Sequence, residues 1–415
     1  MTSEIPLSQP RQIRIVHLAP GSREDVLCGT IETVLLGEAS YEALSYEWGA
    51  PDLVCNFGLE HGLIPITTSL HQALRDLLRK AGVRTIWADG ICINQDDLVE
   101  RTQQVTLMGE IYRNAGRVLT YIGPEADDSA SAIEFAANLV AYGVSRLRHS
   151  DPRIHILEEL PNLGLPAITS PRWQALRKVL TRTWVTRCWC GQEFLLNRNL
   201  TVMCGTTELR DWELFSKVRA QFRLSNLLPQ FHAFQATDPK DKVFSVLGLA
   251  VDRETRGVTV DYTQATEELY TRVAGSILSL YQDVNFLSNN LGVKRLDLPS
   301  WVPDWSSWVF GTEYVNRDWY YKAAGSTKAH IQVHGRTIEV SGCLIGQITK
   351  LSSPIGPHYF KTGDHICLFH GGRHLFVVRQ EREIFRFVGP TYVHGLMQGE
   401  TFEANWYQPR AISIA

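Results

Sequence analysis

Several signatures that place a chain quickly are missing here. No run of 18 apolar residues occurs, and the leading MTSEIPLSQPRQ has no apolar stretch behind a basic start. Both absences argue against secretion and against a membrane partner, so a cytoplasmic protein is expected. Charge of one sign is lacking too: 41 Lys and Arg face 44 Asp and Glu, a net −3, which leaves no chain-wide footprint for nucleic acid. Cysteine is sparse, 8 in 415 residues, with no CxxC pair; the thiols read as reduced, small hydrophobes. There is no P-loop, no GxGxxG and no GxSxG, and no Ser–His–Asp triad can be picked out. His365, His370 and His374 match no standard zinc spacing. A hairpin at His370-Gly-Gly would put them on different faces, so neither a metal nor a resident cofactor is expected. No internal repeat or low-complexity tract is visible.

What is present reads as globular: 44% hydrophobic, 20% charged and 10% aromatic residues. The length calls for two or three domains, or one domain with large insertions. Residues 11–49 read as strands with a turn at Pro20–Gly21. Thr67, Thr68 and Ser69 offer N-cap oxygens to a helix through Leu70, Ala73, Leu74, Leu77, Leu78 and Ala81, with Gly82 at its C-terminal stop. A buried strand (83–88) follows, then a loop GICINQD. The next helix opens with Asp97 and Glu100 as a capping box and ends at Gly116, and RVLTYIG (117–123) is again a strand. This alternation predicts a flavodoxin-like α/β domain with a parallel sheet over residues 1–205, carrying an insertion at about 125–170. Helical patterns continue at 171–197, followed by a strand at 200–204. Residues 206–310 read as mainly helical and include LPSWVPDWSSW (298–308), whose tryptophans need burial. Residues 311–415 read as a β-rich region, a small antiparallel barrel or sandwich.

Three blocks stand out: YEALSYEWG (41–49), IWADGICINQDDLVERTQQVTLMGEIYRNAGRVLTYIGP (86–124) and WVTRCWCGQEFLL (184–196). In this order they resemble the signature blocks of the fungal heterokaryon-incompatibility (HET) domain. DPKDKVFSVLGLA (238–250), LPSWVPDWS (298–306) and FVGPTYVHGLMQGE (387–400) are similar to blocks that follow that domain in many members, so the resemblance covers nearly the whole chain. It also implies a relation to Toll/interleukin-receptor (TIR) domains, flavodoxin-like modules of which some cleave NAD using a glutamate four residues after a tryptophan. Trp189-x-x-x-Glu193 has that spacing, and i, i+4 residues of a helix share one face. The resemblance thus implies Glu193 as the catalytic residue, stabilising oxocarbenium-like charge as the nicotinamide–ribose bond breaks, with Trp189 as a wall of the pocket. On residue type alone, Glu193 reads more readily as a structural acid paired with Arg187 or Arg198, and only the resemblance brings the catalytic reading level with it.

In open α/β sheets ligands sit beyond the carboxyl ends of the strands. Trp48 is placed there to stack on a base or nicotinamide ring, or else to fill a packing turn, and Gly49 to let backbone approach a phosphate. Asp89 and Asn94 are candidates for ribose hydroxyls, and Asp97 for an N-cap. Where relatives carry a small apolar residue, this chain has Glu47, a second acid near the site. Where they read WIDAICINQ, it reads WADGICINQ, and Ala88 and Gly90 are expected to loosen packing or widen the pocket. Cys188 and Cys190 are a reactive pair or, more commonly for such positions, inert buried thiols. The geometric expectation is that Trp48, Asp89 and Glu193 converge on one cleft, the first two within about 10 Å.

The resemblance implies nonself recognition and programmed cell death. It further implies NAD or a related nucleotide as the substrate, with activation expected from self-association or a HET partner protein. Two rivals from other classes remain: a catalytically silent interaction module, and a metabolic enzyme acting on a small organic substrate in a biosynthetic pathway with Glu193, Glu47 or Asp89 as acid or base.

Overall fold

The computed structural model describes residues 7–146, 160–167, 169–209, 222–252, 257–290, 294–307, 321–350, 360–403 and 409–415. Parts of three expectations therefore lie outside the described residues: the insertion at 147–159, the helical region at 210–221, and Trp308 with the segment to 320. The chain forms two compact units, residues 1–221 with 259–261, and residues 222–258 with 262–415. Among the described residues, no helix is long and apolar enough to cross a membrane.

The first unit is built on a seven-stranded sheet. β1 (Gln12–Leu18) and β2 (Gly29–Leu35) form an antiparallel hairpin at one edge. β3 (Glu42–Tyr46), β6 (Arg84–Trp87), β7 (Arg117–Tyr121) and β8 (Leu200–Cys204) are mutually parallel, and β9 (Thr207–Leu209) turns back at the far edge. The order is β2-β1-β6-β3-β7-β8-β9. Counted along the chain, the four parallel strands lie in the order 2-1-3-4, that of flavodoxin-type sheets, with the topological switch point between β3 and β7. Their sequences are near-continuous apolar runs, as burial on both faces demands: every residue of β8 and four of the five in β3 and β7 are buried.

Helix α1 (Thr68–Leu77) is capped by Thr67, whose Oγ1 accepts from Leu70 N at 3.2 Å, and it buries Leu70, Ala73, Leu74 and Leu77. The expected stop at Gly82 is corrected, for the helix ends at Leu77. Arg84 Nη1 donates to the Leu77 carbonyl at 3.0 Å, which satisfies a terminal acceptor from outside the helix. A one-turn helix, α2 (Asp89–Cys92), occupies part of the expected loop. Helix α3 (Leu98–Asn114) is capped by Asp97 as expected, but the capping box is only half made. Glu100 accepts instead from Asn94 N and from the buried guanidinium of Arg14. Between β3 and α1 lies a hairpin the reading above lacks, β4 (Cys55–Leu59) and β5 (Gly62–Ile66), burying Phe57, Ile64 and Ile66. After β7 come α4 (Ser129–Arg146), α5 (Pro171–Leu180) and two short helices, α6 (Thr183–Thr186) and α7 (Cys190–Leu195).

The second unit combines helices α8 (Leu224–Phe231), α9 (Asp241–Leu247) and α10 (Thr266–Tyr281) with strands β10 (Ile331–His334), β11 (Thr337–Gln347), β12 (His365–Phe369), β13 (Leu375–Glu381), β14 (Ile384–Thr391) and β15 (Arg410–Ile414). β15 pairs with both β14 and β11, closing β11 to β15 into a barrel. The pairing is antiparallel apart from β14–β15, which is parallel. Register shifts at Leu344/Gly346 and Val377/Val378 bend the long strands. Trp301 and Trp305 are buried as their residue type requires. The Trp301 indole donates to the Arg336 carbonyl at 2.9 Å, and Trp305 packs edge-on against Tyr270.

Candidate functional site

Beyond the carboxyl ends of β3 and β6, a set of polar groups is drawn together in an otherwise apolar interior. Ser45 and Tyr46 close β3, and Asp89 opens α2 directly after β6. Glu193 arrives from α7, 148 positions after Ser45, whose Oγ donates to Glu193 Oε2. The same hydroxyl accepts from Trp184 Nε1 at 2.8 Å. A short relay thus runs from indole to serine to carboxylate. Ser45, Trp184 and Glu193 are all buried, Glu193 being only 3% exposed.

The electrostatics follow from that burial. Loss of water raises the Glu193 carboxyl to about 7; the Arg187 charge and hydrogen bonds from Ser45 and Tyr112 oppose the rise, and the Asp89 charge adds to it. Asp89 is likewise raised by burial, against Arg187 and the Trp48 indole. For Arg187, burial works against its charge, but Glu193, Cys190, Asp89 and Tyr46 outweigh that and raise it. Arg187 also donates to the Tyr46 carbonyl. No salt bridge joins Glu193 to Arg187 or Arg198 among the described residues. The Arg187 charge therefore acts on Glu193 through space, while Ser45 and Tyr112 supply the hydrogen bonds to the carboxyl. Such a carboxyl, poised near neutrality, can donate a proton, accept one or stabilise adjacent cationic charge.

The residues singled out from sequence divide into those the fold brings together and those it does not. Trp48 and Asp89 meet directly, Trp48 Nε1 donating to Asp89 Oδ2 at 2.7 Å. Asp89 Oδ1 is buried and makes no close hydrogen bond among the described residues, although the Tyr46 hydroxyl and the Gly90 N–H are near enough to favour the ionised carboxylate. The Asp89 charge lies close enough to Glu193 to raise its carboxyl. Gly49 turns the chain with φ +69, a left-handed conformation that favours glycine. Glu47 is half-buried; its carbonyl accepts from Ser69 Oγ, and its carboxylate is hydrogen-bonded to none of the cluster. Asn94 is spent locally, its Oδ1 accepting from Asp96 N at 3.2 Å and its own N–H held by Glu100. Trp189 stands at the head of α7, its carbonyl accepting from Glu193 N at 3.4 Å, while its half-buried indole makes no hydrogen bond or ring contact among the described residues. Gly90 opens no extra space, because the Tyr46 hydroxyl and Leu70 occupy the volume a β-carbon would take. Cys190 donates to the Trp184 carbonyl at 2.7 Å, and burial pushes its thiol up, away from thiolate chemistry.

Ser45, Tyr112 and Trp184 were not singled out from sequence as members of this cluster, and Arg187 was named there only as a structural partner of Glu193. One signal was available: a serine inside the buried strand EALSY must find a partner, since an unpaired buried hydroxyl costs about 1–3 kcal/mol. The identity of that partner was not readable.

Residues 41–193 match the family model described as Heterokaryon incompatibility protein (HET), and residues 349–407 match the Het-6 beta-barrel domain. The first match contains every residue of the cluster and ends at Glu193 itself. A curated relative, Heterokaryon incompatibility protein 6, OR allele, from Neurospora crassa, is 25% identical over 423 residues, covering 78% of this chain. The chain spans 62% of that relative's length. No solved structure matches.

Proposed function

We propose that this chain, which carries a HET domain followed by a Het-6 barrel, acts in fungal heterokaryon incompatibility and the cell death that follows it. Its chemical step is hydrolysis of NAD or a related nucleotide at the Glu193 cluster. The observation that carries the reading is the buried Glu193 carboxyl, raised to about 7, held by Ser45 and facing Arg187 and Asp89 at the carboxyl ends of parallel strands. In the reaction the glycosidic bond of NAD⁺ breaks and nicotinamide leaves as a neutral base. Water adds to the anomeric carbon and loses one proton, giving ADP-ribose. Ionised Glu193 stabilises the oxocarbenium-like charge, and Trp48 offers a ring face near Asp89. The relation to TIR domains belongs to this proposal and rests on the Trp189-x-x-x-Glu193 spacing and the 2-1-3-4 strand order. Activation by self-association or by a HET partner protein belongs to it as well.

Purified protein incubated with NAD is expected to release nicotinamide, and Glu193→Gln to lower the rate by at least about a hundredfold, as loss of one charge-stabilising group does. Because Glu193 acts ionised, the rate should rise as pH passes upward through about 7. An inactive wild type, both dilute and crowded, would overturn the enzymatic reading. The 3% exposure of Glu193 favours one rival, a silent interaction module in which the carboxylate only braces the sheet. Under that rival Glu193→Gln leaves cell killing intact while surface substitutions abolish it.

A further inference from the structure

A concavity lies in the barrel-bearing unit, independent of the Glu193 cluster. It has a volume of about 500 Å³ and is walled by the segments 321–327 and 371–373. That volume falls within the range of about 300–1,000 Å³ typical of small-molecule sites.

The walls are fixed by the chain itself. Ala323 N donates to Arg373 O at 3.2 Å and Ala324 N to Gly372 O at 2.9 Å, which stitches one segment to the other. Thr327 Oγ1 donates to Ala324 O and accepts from Gly371 N at 3.1 Å. Asn285 braces the far side, accepting from Arg373 N at 2.7 Å and donating to Gly371 O at 3.1 Å. Gly371 has φ +74, and a β-carbon there would sit 2.9 Å from Ala329 N, so bare backbone is obligatory at this wall. Tyr321 is held by ring contacts with His374 at 5.4 Å and Tyr392 at 5.8 Å.

Among the described residues, the charge lining this space is one-sided. Lys322 and Arg373 both line it, neither side chain forms a salt bridge or hydrogen bond among the described residues, and no lining residue is acidic. The wall carbonyls of Ala324, Gly371, Gly372 and Arg373 are already engaged as acceptors. The lining offers an occupant two cations and the hydroxyl of Ser326, a donor set that suits a compact anion with several acceptor oxygens.

We propose that this cavity binds the phosphate of a small phosphorylated molecule, with Lys322 and Arg373 as its cationic contacts, Ser326 as a hydroxyl donor and Tyr321 as an aromatic wall. The test is calorimetric titration of the full chain with inorganic pyrophosphate and with AMP, adenosine serving as the control without phosphate. Saturable binding of pyrophosphate or AMP is expected. Lys322→Ala or Arg373→Ala should weaken it roughly tenfold each, as loss of a hydrogen bond to a charged group does at a partly exposed site. Raising the salt concentration should weaken it further. Both side chains are exposed, so the variants should keep the wild-type thermal midpoint. Ser326→Glu places a carboxylate in the cavity without touching either cation and should abolish binding. No saturable heat with wild type, unchanged affinity in the double variant, or adenosine binding as tightly as AMP would each overturn the proposal.

Discussion

Glu193 gives the candidate site a pH sensitivity near neutrality. In the unfolded chain its pKa returns to 4.5, whereas burial in the fold raises it to about 7. Between those values the folded state holds more protons than the unfolded one. Stability from this group is therefore full below pH 4.5 and is lost as pH rises through 7. The swing is on the order of 3 kcal/mol. Glu193→Gln mimics the protonated group at every pH. Its urea midpoint relative to wild type is expected to climb steadily from pH 5 to pH 8. A difference that stays flat across that range would mean that the carboxyl is not desolvated in the folded protein. This measurement needs no substrate, so it separates the electrostatics of the site from the reaction proposed there.

At the scale of elements, α2 and β3 are coupled by one missing methyl group. A β-carbon on Gly90 would lie 2.5 Å from Tyr46 Oη and 3.0 Å from Leu70 Cδ2. Helix propensity alone favours alanine over glycine by about 1 kcal/mol, so the sign of the effect decides which term wins. The contact with Tyr46 is against a buried, hydrogen-bonding ring that cannot retreat into solvent. Gly90→Ala is expected to destabilise by about 1–3 kcal/mol. In a Tyr46→Phe background the obstructing oxygen is gone, and the same substitution should cost far less, a coupling of about 1 kcal/mol or more in a double-mutant cycle. Additive behaviour in chemical denaturation would show that the Tyr46 hydroxyl does not fill this space. The residue pair also explains how a glycine can sit where the resemblance implies alanine without opening a cavity.

At the scale of the whole molecule, the division into two units is nearly a single cut. All strands of the parallel-containing sheet lie before residue 221, and only residues 259–261 of the later chain join that unit. The barrel likewise closes on itself through β11 and β15. A chain ending at residue 221 is therefore expected to fold with its own cooperative transition, followed by circular dichroism in urea. It should retain the pH dependence assigned to Glu193, because every group that sets it lies in that unit. A fragment that shows no cooperative transition would mean that the first unit depends on the second for its stability.

Much of the fold was legible before any coordinates. Val118 and Leu119 in β7 and the unbroken LTVMC of β8 announce strands buried on both faces, because polar positions would otherwise alternate. Thr67 and Asp97 mark helix starts because only such side chains satisfy the first orphan amides. Trp301 and Trp305 had to be interior. The β4–β5 hairpin had a readable signal in the alternation of CNFGLEHGLIPI around Glu60-His61. The site was legible only in part. Periodicity fixes which face of an element is buried, but not which strand lies beside it. Nothing local to Glu193 announces Ser45, 148 residues earlier, or Trp184 on its other side. The 2-1-3-4 order of the parallel strands decides that meeting, and with it the exclusion of water that raises the carboxyl to about 7. A residue's type sets its ordinary proton affinity. Its folded value depends on neighbours and solvent that only the tertiary arrangement brings into place.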